Sequence, residues 1–505
     1  MIPLRVSQVA TVLEAGLRPG PAPADLGRTV THVTADSRAV APGSLFVALP
    51  GERVDGHTFV TGVFAAGAVA VLVAHPVEDA EGPQLVVADP LLALGRLARY
   101  VVDRLRPDGL RVVGITGSQG KTSTKDLLGA VLTAAGPTVA PVGNLNNELG
   151  VPLTVLRVEG STSAGGETPA GGARGRPASG QGNRFLVVEM GARGIGHIAY
   201  LCQVAPPDVA VVLNVGHAHV GEFGGREAIA QAKGELVEAL DDDGVAVLNR
   251  TDPRVWAMRF RTRARVLPFA VGEDPGDADA VWADDLVGDE RGRYAFTLHV
   301  RLAGTGQSTR VALRGTGRHQ VANAVAAGAA AVAVGLAPEQ VAAALSAAEP
   351  ASRWRMEVHD RADGVRVVND SYNANPASMA AAVETLAELG RGRGRTWAVV
   401  GDMLELGAEA PGLHAALAAQ LAAAGVDEVV ALGEFAPLLV AGQTGRARVA
   451  SSPAEAAAWV RAEVAPGDVV LIKASRGLAL DVVADEILRA PDRERATGPG
   501  AGGSA

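Results

Sequence analysis

Lys121 and Thr122 follow a glycine-rich turn, and these residue types at this spacing are typical of a site for phosphate and magnesium. Such a turn points backbone N–H groups and the positive end of a helix at one spot, which suits a phosphate. The lysine can neutralise the β- and γ-phosphates of a nucleotide, and the threonine hydroxyl can ligate Mg²⁺. The candidate loop comprises Gly117, Ser118, Gln119, Gly120, Lys121, Thr122 and Ser123.

The residues on either side of this loop predict a strand and a helix. Val112, Val113 and Ile115 form a short β-branched run, which is typical of a buried parallel strand. After Lys121 the apolar residues recur with helical spacing as far as Gly136, a predicted C-cap. Ile115 stands where the standard P-loop has its first glycine, so an ordinary glycine-rich turn is the alternative. The triplet GKT between a strand and a helix favours nucleotide binding.

Two further ionisable side chains follow predicted strands. Glu189 ends the strand predicted at 185–188, and a carboxylate at the C-terminal end of a parallel strand faces the ligand crevice of an open sheet. We expect it to bind Mg²⁺, with a helix N-cap as the alternative. His219 follows the strand predicted at 209–213 and is a candidate Mg²⁺ ligand or phosphate neighbour, or a structural histidine. His217 and His219, two residues apart, suggest a zinc site, but such a site needs further soft ligands, and the chain supplies no Cys or His cluster nearby.

Other candidate residues lie on predicted helices and strand-end loops. Lys233 lies on a predicted helix, where a solvated surface lysine is the default interpretation. His319 and Asn323 are one turn apart at the start of an Ala-rich helix, so they can meet one ligand or form a capping cluster. The polar residues that follow strands are Asp36, Ser37, Arg38, Asp370, Asn373 and Asn375, which also suit turns, and the anion-binding set Lys473, Ser475 and Arg476.

The composition indicates a folded protein of about three domains, at roughly 150 residues each, in its 505 residues. Hydrophobic residues make up 48% and charged residues 20%, which excludes a disordered chain. The net charge of −9 offers no global basic balance to attract nucleic acid. The single cysteine, Cys202, excludes an internal disulfide and fits a reducing cytoplasm. The N-terminus lacks a signal-peptide pattern, and the Ala-rich run 324–337 is too short to span a membrane.

The order of predicted elements indicates three α/β domains. Residues 1–108 carry short strands and helices without a P-loop, and residues 109–350 alternate strands and helices as in a mainly parallel sheet. Residues 351–491 restart an α/β pattern, with strands predicted at 365–369, 396–400, 428–432 and 469–472. The low-complexity insertion 160–183 and the polar tail 492–505 lack apolar periodicity, so we expect mobile segments there.

Taken together and in this order, the motifs resemble the Mur ligases, the ATP-dependent amino-acid-adding enzymes of peptidoglycan synthesis. DSR…PGSLFVALPGERVDGH, GNLNNELGVP and NDSYNANP with GDMLELG are similar to the members that join D-alanyl-D-alanine to UDP-N-acetylmuramoyl-tripeptide. The likeness runs from about residue 30 to 485, outside the insertion. It implies a small N-terminal UDP-sugar domain, a central P-loop domain and a C-terminal Rossmann-like domain. It also implies that ATP activates the tripeptide carboxylate as an acyl phosphate.

The resemblance assigns roles to residues that match the family's motifs. For ATP and Mg²⁺ these are the P-loop with Lys121 and Thr122, and Glu189, His219, His319, Asn323 and Arg355. Lys233 matches a lysine that is carbamylated in several members, which would make it an oxygen ligand of a second Mg²⁺. For the UDP-sugar and muramoyl-peptide they are Ser37, Arg38, Asn144, Asn146 and Asn147. For ATP and the dipeptide in the third domain they are Asp370, Asn373, Asn375, Lys473, Ser475 and Arg476.

Three residues depart from the family's pattern. Gln320 replaces the usual Asn, Ala474 replaces a Gly, and Trp354 precedes Arg355 where many relatives have Gly. The alternatives are another ligase of the superfamily (the enzyme adding the third residue, or folylpolyglutamate synthase), a P-loop switch or motor, and a catalytically silent scaffold. We expect a cytoplasmic monomer that neither inserts into a membrane nor binds nucleic acid.

Overall fold

The structure, a computed structural model, describes residues 1–18, 26–51, 54–160, 184–216 and 225–489. His219, the tail 492–505 and all of the predicted insertion except Gly160 lie outside the described residues. Three large sheets organise the described chain, and the elements around them define an N-terminal unit (4–105), a central unit (111–347) and a C-terminal unit (357–488).

The N-terminal unit is built on a small sheet with strand order β2-β7-β6-β5-β4, in which β2 is the antiparallel edge and the other pairs are parallel. A separate antiparallel pair joins β1 to β3. The strands are β1 (Leu4–Arg5), β2 (Gly16–Arg18), β3 (Thr29–Val30), β4 (His32–Thr34), β5 (Ser44–Val47), β6 (Ala68–Val73) and β7 (Gln84–Val86). The helices are α1 (Val6–Leu13), α2 (Val60–Ala65) and α3 (Pro90–Leu105), and α3 begins where the Asp89 carboxylate accepts two backbone N–H bonds.

The central unit has a sheet of nine strands among the described residues, in the order β16-β15-β14-β13-β12-β11-β8-β10-β9. All pairs from β9 to β14 are parallel, whereas β14, β15 and β16 form antiparallel ribbons at one side. The strands are β8 (Arg111–Thr116), β9 (Thr138–Val139), β10 (Phe185–Glu189), β11 (Val209–Val212), β12 (Val245–Asn249), β13 (Arg265–Val271), β14 (Ala280–Gly288), β15 (Arg293–Leu302) and β16 (Thr305–Thr316).

The helices of the central unit cover both faces of that sheet. They are α4 (Lys121–Ala135), α5 (Gly150–Val155), α6 (His197–Val204), α7 (Arg226–Glu238), α8 (Pro253–Ala257), α9 (His319–Ala333) and α10 (Pro338–Ala347). α4, α9 and α10 pack on one face in a core that includes Val113, Ile115 and the alanines of α9. On the other face, α5, α6 and α7 share a continuous core with α1 and α3, so the N-terminal and central units are joined by apolar packing.

The C-terminal unit has a sheet with strand order β17-β18-β22-β19-β20-β21, parallel except for the β17–β18 pair. The strands are β17 (Glu357–Asp360), β18 (Arg366–Asn369), β19 (Thr396–Gly401), β20 (Glu428–Leu432), β21 (Arg446–Val449) and β22 (Val469–Lys473). The helices are α11 (Pro376–Gly390), α12 (Ala410–Ala423), α13 (Ala436–Val440), α14 (Pro453–Glu463) and α15 (Asp481–Leu488). Two apolar cores, one on each face, belong to this unit alone within the described chain.

These observations confirm the predicted α/β class and the mainly parallel central sheet. The strands predicted at 365–369, 396–400, 428–432 and 469–472 correspond to β18, β19, β20 and β22, with ends that differ by at most one residue. Gly136 is the C-cap of α4, as predicted. The Ala-rich helix is buried but ends at Ala333, because Gly335 has a positive φ of 98° and α10 starts afresh at Pro338.

Candidate active site

The carboxyl ends of three neighbouring strands form the floor of the candidate site. β8 and β11 are neighbouring parallel strands, and the chain runs from β8 to β9 in one direction along the sheet but from β11 to β12 in the other. Such a switch point opens a crevice at the carboxyl ends of the strands. The glycine-rich loop follows β8, Glu189 is the last residue of β10, and Asn214 comes shortly after β11.

The glycine-rich loop leads directly into α4, which begins at Lys121. Gly120 has a φ of 80°, and a Cβ added to it would lie 2.4 Å from the Asn323 side-chain oxygen, so only glycine fits there. The Asn214 amide holds the loop from the opposite side, since its oxygen accepts the Gln119 N–H at 3.0 Å and its nitrogen donates to the Gln119 carbonyl at 3.1 Å. The Lys121 ammonium donates to the Gly117 carbonyl at 2.7 Å.

Glu189 and Thr122 form a buried pair of oxygen donors beside the loop. The Thr122 hydroxyl donates to the Glu189 carboxylate at 3.1 Å, and the Asn146 amide donates to the other carboxylate oxygen at 2.9 Å. Glu189 is 1% exposed and caps no helix, so the N-cap alternative does not apply to it. A carboxylate and a hydroxyl are the hard oxygen ligands that Mg²⁺ prefers, so this donor set fits the metal.

Two lysine side chains, Lys121 and Lys233, line the same cavity as this buried carboxylate. Burial lowers the pKa of Lys121, with Glu189 acting in the opposite direction and Arg355 reinforcing the shift. Lys233 is 4% exposed, and burial together with the charge of Lys121 lowers its pKa well below the ordinary value. The default interpretation of Lys233 as a solvated surface lysine is therefore wrong. The face of α7 that carries it packs toward the sheet, and its side chain lines the cavity described below.

The start of α9 forms another wall. Asn323 is 7% exposed, its oxygen lies 3.4 Å from the Thr124 hydroxyl, and its nitrogen donates to the Gln320 oxygen at 3.0 Å. Gln320, which departs from the family's pattern, therefore orients Asn323. The Nδ1 atom of His319 is buried and has no hydrogen-bond partner within the described chain. Burial lowers the pKa of His319. The charge of Asp370 acts in the opposite direction and raises this pKa, whereas the charge of Lys473 lowers it further.

Arg355 reaches the loop from the segment that enters the C-terminal unit. Its guanidinium donates to the Thr122 hydroxyl at 3.0 Å and stacks over the Tyr372 ring at 4.3 Å. The Nε atom of Arg355 is buried without a hydrogen-bond partner among the described residues. A polar atom left unpaired in this place indicates a position where a ligand or water completes the hydrogen bonds.

The predicted anion-binding residues of the C-terminal unit differ in whether their polar groups are already used within the protein or are exposed to a ligand. The Lys473 ammonium is buried, pairs with the Asp370 carboxylate at 2.6 Å and donates to the Asn373 carbonyl at 2.8 Å. The Ser475 hydroxyl accepts the Leu404 N–H at 2.9 Å. The guanidinium of Arg476 pairs with Asp481 at 2.5 Å, but its side chain is 48% exposed. Of the three predicted residues, Arg476 presents its charge to the cavity.

A cavity of about 660 Å³ lies between the central and C-terminal units. It brings together most of the predicted site residues: Ser118, Gln119, Gly120, Lys121, Thr122, Ser123, Asn144, Asn146, Asn147, Glu189, Lys233, His319, Asn323, Arg355, Asp370, Asn373, Asn375, Lys473, Ser475 and Arg476. Two of the asparagines have local structural roles, because Asn147 accepts the Gly150 N–H at 2.8 Å and Asn375 caps α11. Gly117 supports the loop through its carbonyl.

Two predicted site residues of the N-terminal unit lie elsewhere. Ser37 and Arg38 begin a short 3₁₀ turn after β4, and neither belongs to the described lining of the cavity. Arg38 is exposed and forms a two-point pair with Asp36, with distances of 2.9 and 2.8 Å. This pair lowers the pKa of Asp36 to about 2. His219 lies outside the described residues, so its predicted role stays a prediction.

Three family models match the chain in succession. The Mur ligase family catalytic domain matches residues 29–101, the Mur ligase middle domain matches 115–331, and the Mur ligase glutamate ligase domain matches 354–476. The chain belongs to the Mur ligase family.

Individual Mur ligases are similar to this chain over nearly its whole length. A protein of Mycobacterium leprae, named UDP-N-acetylmuramoyl-tripeptide–D-alanyl-D-alanine ligase, is 41% identical across 97% of this chain and 99% of its own. The protein of that name from Escherichia coli is 36% identical across 86% and 87% of the two chains. A crystal structure of MurF from Acinetobacter baumannii has a TM-score of 0.82 at 31% identity, covering 97% and 99%. MurF from Thermotoga maritima in complex with ADP gives 0.73 at 28% identity, covering 91% and 97%.

Sequence reasoning missed the roles of three residues in or next to the cavity of this Mur ligase. Asn214 accepts a hydrogen bond from the P-loop, and the Tyr372 ring stacks against the Arg355 guanidinium. The Arg476 guanidinium lies 4.3 Å from the centroid of the Trp354 ring. Asn214 stands just beyond a predicted strand, so the strand-end rule that found Glu189 could also have found it. Tyr372 lies inside the motif NDSYNANP. Nothing in the local sequence indicates the contact between Trp354 and Arg476, which are far apart in the chain.

Proposed function

We propose that this chain is an ATP-dependent ligase that joins D-alanyl-D-alanine to UDP-N-acetylmuramoyl-tripeptide during the synthesis of peptidoglycan precursors. The observation that carries the proposal is the 41% identity to a ligase of that name over 97% of the chain. The cavity supports it, because the P-loop, buried oxygen donors and a half-exposed arginine surround one space. The alternative of a catalytically silent scaffold is disfavoured by this complete set of polar groups.

The reaction must overcome the poor reactivity of its substrates. At neutral pH an acid and an amine are a carboxylate and an ammonium, which do not condense. The terminal carboxylate of the tripeptide attacks the γ-phosphorus of ATP, which gives an acyl phosphate and ADP. The free amine of the dipeptide then attacks the acyl carbon, and inorganic phosphate leaves as the peptide bond forms.

The first of these steps brings two anions together, so cationic groups have to offset their repulsion. Lys121 would neutralise the transferred phosphoryl group. For this, the Lys121 ammonium would have to break its hydrogen bond to the Gly117 carbonyl. Arg355, held over Tyr372 and close to Thr122, adds a second positive charge on the same side. Thr122 and Glu189 would hold Mg²⁺, which supplies further charge neutralisation at the phosphates when bound.

Lys233 is proposed to act as its carbamate. A neutral amine can add to CO₂, whereas an ammonium cannot, and burial already favours the neutral form by lowering the pKa of Lys233. Carbamylation converts this buried neutral amine into a negative oxygen donor near the Lys121 ammonium. The carbamate would attract that ammonium and would provide a ligand suited to a second Mg²⁺.

The remaining assignments follow the family and stay proposals. Ser37 and Arg38 would contact the UDP-sugar, and Asn144 and Asn146 the muramoyl-peptide. His319 and Asn323 would contact the nucleotide. The Arg476 guanidinium would bind the carboxylate end of the dipeptide. We further propose domains at 1–108, 109–350 and 351–491.

The cellular setting is proposed from the same likeness. The enzyme would act in the cytoplasm as a monomer on soluble precursors. In the described ranges of the chain, no helix is both long and apolar enough to cross a bilayer.

Phosphate release from ATP tests the proposed function. The assay is run with the full chain, with and without UDP-N-acetylmuramoyl-tripeptide and with and without D-alanyl-D-alanine, and the ligated product is identified by mass. Phosphate release that requires both substrates is the expected result. Release that needs neither, with no new peptide bond, would indicate a nucleotide switch or motor instead. Lys121→Ala serves as the control and is expected to reduce turnover about 10²–10³-fold, as for other electrostatic groups at a transition state.

A further inference from the structure

Trp354 adopts a backbone conformation that is unusual for its residue type. Its φ is 59°, in the left-handed region, where a bulky side chain is strained and where glycine is normally favoured. The residue stands in the segment that connects the central unit to β17. Its carbonyl accepts the Tyr372 N–H at 3.1 Å, which fixes this conformation from the C-terminal unit. Strain of this kind persists where the surrounding structure enforces it, and it concentrates at functional sites.

The indole ring of Trp354 lies against arginine side chains. The guanidinium of Arg476 is centred 4.3 Å from the ring centroid, and that of Arg353 is 5.4 Å away. Both distances are within the range of a cation–π interaction. Arg476 has one further anchor, the carboxylate of Asp481 at 2.5 Å. A carboxylate on one side and an aromatic face on the other hold a guanidinium in one orientation while leaving part of it exposed.

Trp354 and Arg355 are consecutive residues that contact two different parts of the cavity lining. Arg355 donates to Thr122 beside the P-loop, whereas the ring of Trp354 contacts Arg476 of the C-terminal unit. One connecting segment therefore supplies a cation near the P-loop and an aromatic contact to a second cation of the lining. Lys473 is the other predicted cation of the C-terminal unit, but it is buried and paired with Asp370. Its charge is therefore already neutralised and is not available to a ligand as that of Arg476 is.

We propose that Trp354 is a positioning residue that holds the Arg476 guanidinium where it binds the carboxylate of the incoming dipeptide. The inference rests on the proposed function. The strained backbone at Trp354 is retained because glycine, which suits the conformation, offers no ring surface. Trp354 acts only through Arg476 and touches no reacting atom.

Three single variants of Trp354 distinguish the effect of its ring from the effect of its strained backbone. Trp354→Gly relieves the backbone strain and removes the ring. Trp354→Asn also tolerates the left-handed conformation and provides a second ring-free variant. Trp354→Phe keeps an aromatic face and keeps the strain. Thermal melting verifies that each variant is folded, and steady-state phosphate release gives the KM for D-alanyl-D-alanine and for ATP.

We expect the two ring-free variants to raise the dipeptide KM roughly 2- to 30-fold, the range that a cation–π contact implies, with the ATP KM unchanged. Trp354→Phe should retain most of the wild-type dipeptide KM. In an Arg476→Ala background, Trp354→Gly should cause no further rise, because the ring has lost its partner. A purely structural role in the connecting segment would instead raise both KM values, or would be insensitive to whether the ring is kept.

The inference is overturned if Trp354→Gly has the wild-type dipeptide KM, or if it raises the dipeptide KM as strongly without Arg476. Wild-type enzyme run in parallel separates this outcome from failure of the proposed function. If the wild type releases phosphate without needing the dipeptide, the proposed function fails, and this inference fails with it. If the wild type needs the dipeptide and the variants match it, only the role of Trp354 is refuted.

Discussion

Lys233 illustrates at the scale of single residues how the fold changes the chemistry of a side chain. On a solvated helix its ammonium would be charged and unreactive, but the side chain is 4% exposed and close to a second lysine. Both burial and this neighbouring charge favour the neutral amine. A buried ammonium beside a second lysine would be costly, whereas carbamylation of the neutral amine gives an oxygen ligand for a metal.

Replacing Lys233 tests this interpretation. We expect Lys233→Ala to reduce phosphate release to at most about a hundredth of the wild-type rate, the scale for loss of an electrostatic group. Acetate or formate should restore part of the activity, because a small carboxylate can occupy the vacated space and supply the oxygen ligands. Lys233→Arg is the matched control, since a guanidinium keeps the positive charge and is not carbamylated. It should be inactive and should not respond to carboxylates. Wild-type activity in either variant would contradict the proposal.

The lowered pKa of His319 leads to a prediction of how the unfolding free energy depends on pH. Burial lowers its pKa in the native state, whereas the unfolded chain has the ordinary value of about 6.5. Below that value the unfolded state takes up a proton that the native state does not, so stability falls as the pH falls. The contribution is absent above about pH 7.5 and amounts to at most about 1.4 kcal/mol for each pH unit below 6.5.

The neutral variant His319→Gln isolates this contribution. We expect the drop in melting temperature between pH 7.5 and pH 5.5 to be smaller in His319→Gln than in the wild type. Calorimetry of both proteins at the two pH values measures it, and the difference at pH 7.5 corrects for any loss of packing. An equal drop in the two proteins would show that His319 is protonated as easily in the native state as in the unfolded chain.

Residues whose chemistry follows from local pattern were the ones that sequence could predict. Lys121 and Thr122 follow from a turn between a strand and a helix, and Glu189 follows from a strand end. The burial of Lys233 could not be predicted, since it depends on which face of α7 packs toward the sheet. The division between Lys473 and Arg476 was also hidden, because only the fold reveals that Asp370 neutralises Lys473.

At the scale of elements, the site depends on the order of strands in the central sheet. Hydrophobic runs predicted β8, β10 and β11 individually, but their side-by-side order of β10, β8 and β11 is a long-range property. It is this order that places the P-loop between Glu189 and Asn214. The antiparallel ribbons β14, β15 and β16 were not predicted for the same reason, since pairing partners are not encoded in any single strand.

The low-complexity insertion gives a prediction at this scale. Deleting residues 162–181 should leave both the melting temperature and the rate of phosphate release unchanged, because the segment has no apolar periodicity with which to contribute to a core. Melting and turnover of the purified variant measure the two effects. Deleting 144–148, a segment that lines the cavity, provides the contrast and should abolish turnover. Complete loss of activity in the 162–181 deletion would assign that segment a function.

At the scale of the whole molecule, the three units are joined in two different ways. The N-terminal and central units share one apolar core. The described contacts between the central and C-terminal units include polar ones, such as Tyr294 with Glu388 at 2.8 Å, Arg291 with Asp360 at 2.8 Å and Arg355 with Thr122 at 3.0 Å. Polar contacts exchange with water at little net cost, so the C-terminal unit is the part best able to change position when substrates bind.

In the proposed ligation reaction, each of the three units would bind a different substrate. The central unit would hold the nucleotide, the N-terminal unit would deliver the carboxyl end of the tripeptide, and the C-terminal unit would bring the amine. The sequence predicted three units because an α/β pattern restarts twice, and the family models follow the same succession. It could not predict that no residue of the N-terminal unit belongs to the described lining of the cavity.

A crystal structure of the full chain with ADP and Mg²⁺ would show directly whether the glycine-rich turn binds the nucleotide. We expect the β-phosphate within the bend formed by residues 117–122, close to the Lys121 ammonium, with Mg²⁺ at the oxygens of Thr122 and Glu189. Lys121 should then no longer donate to the Gly117 carbonyl. A nucleotide whose phosphates lie anywhere else in the molecule would show that residues 117–122 are not the phosphate site.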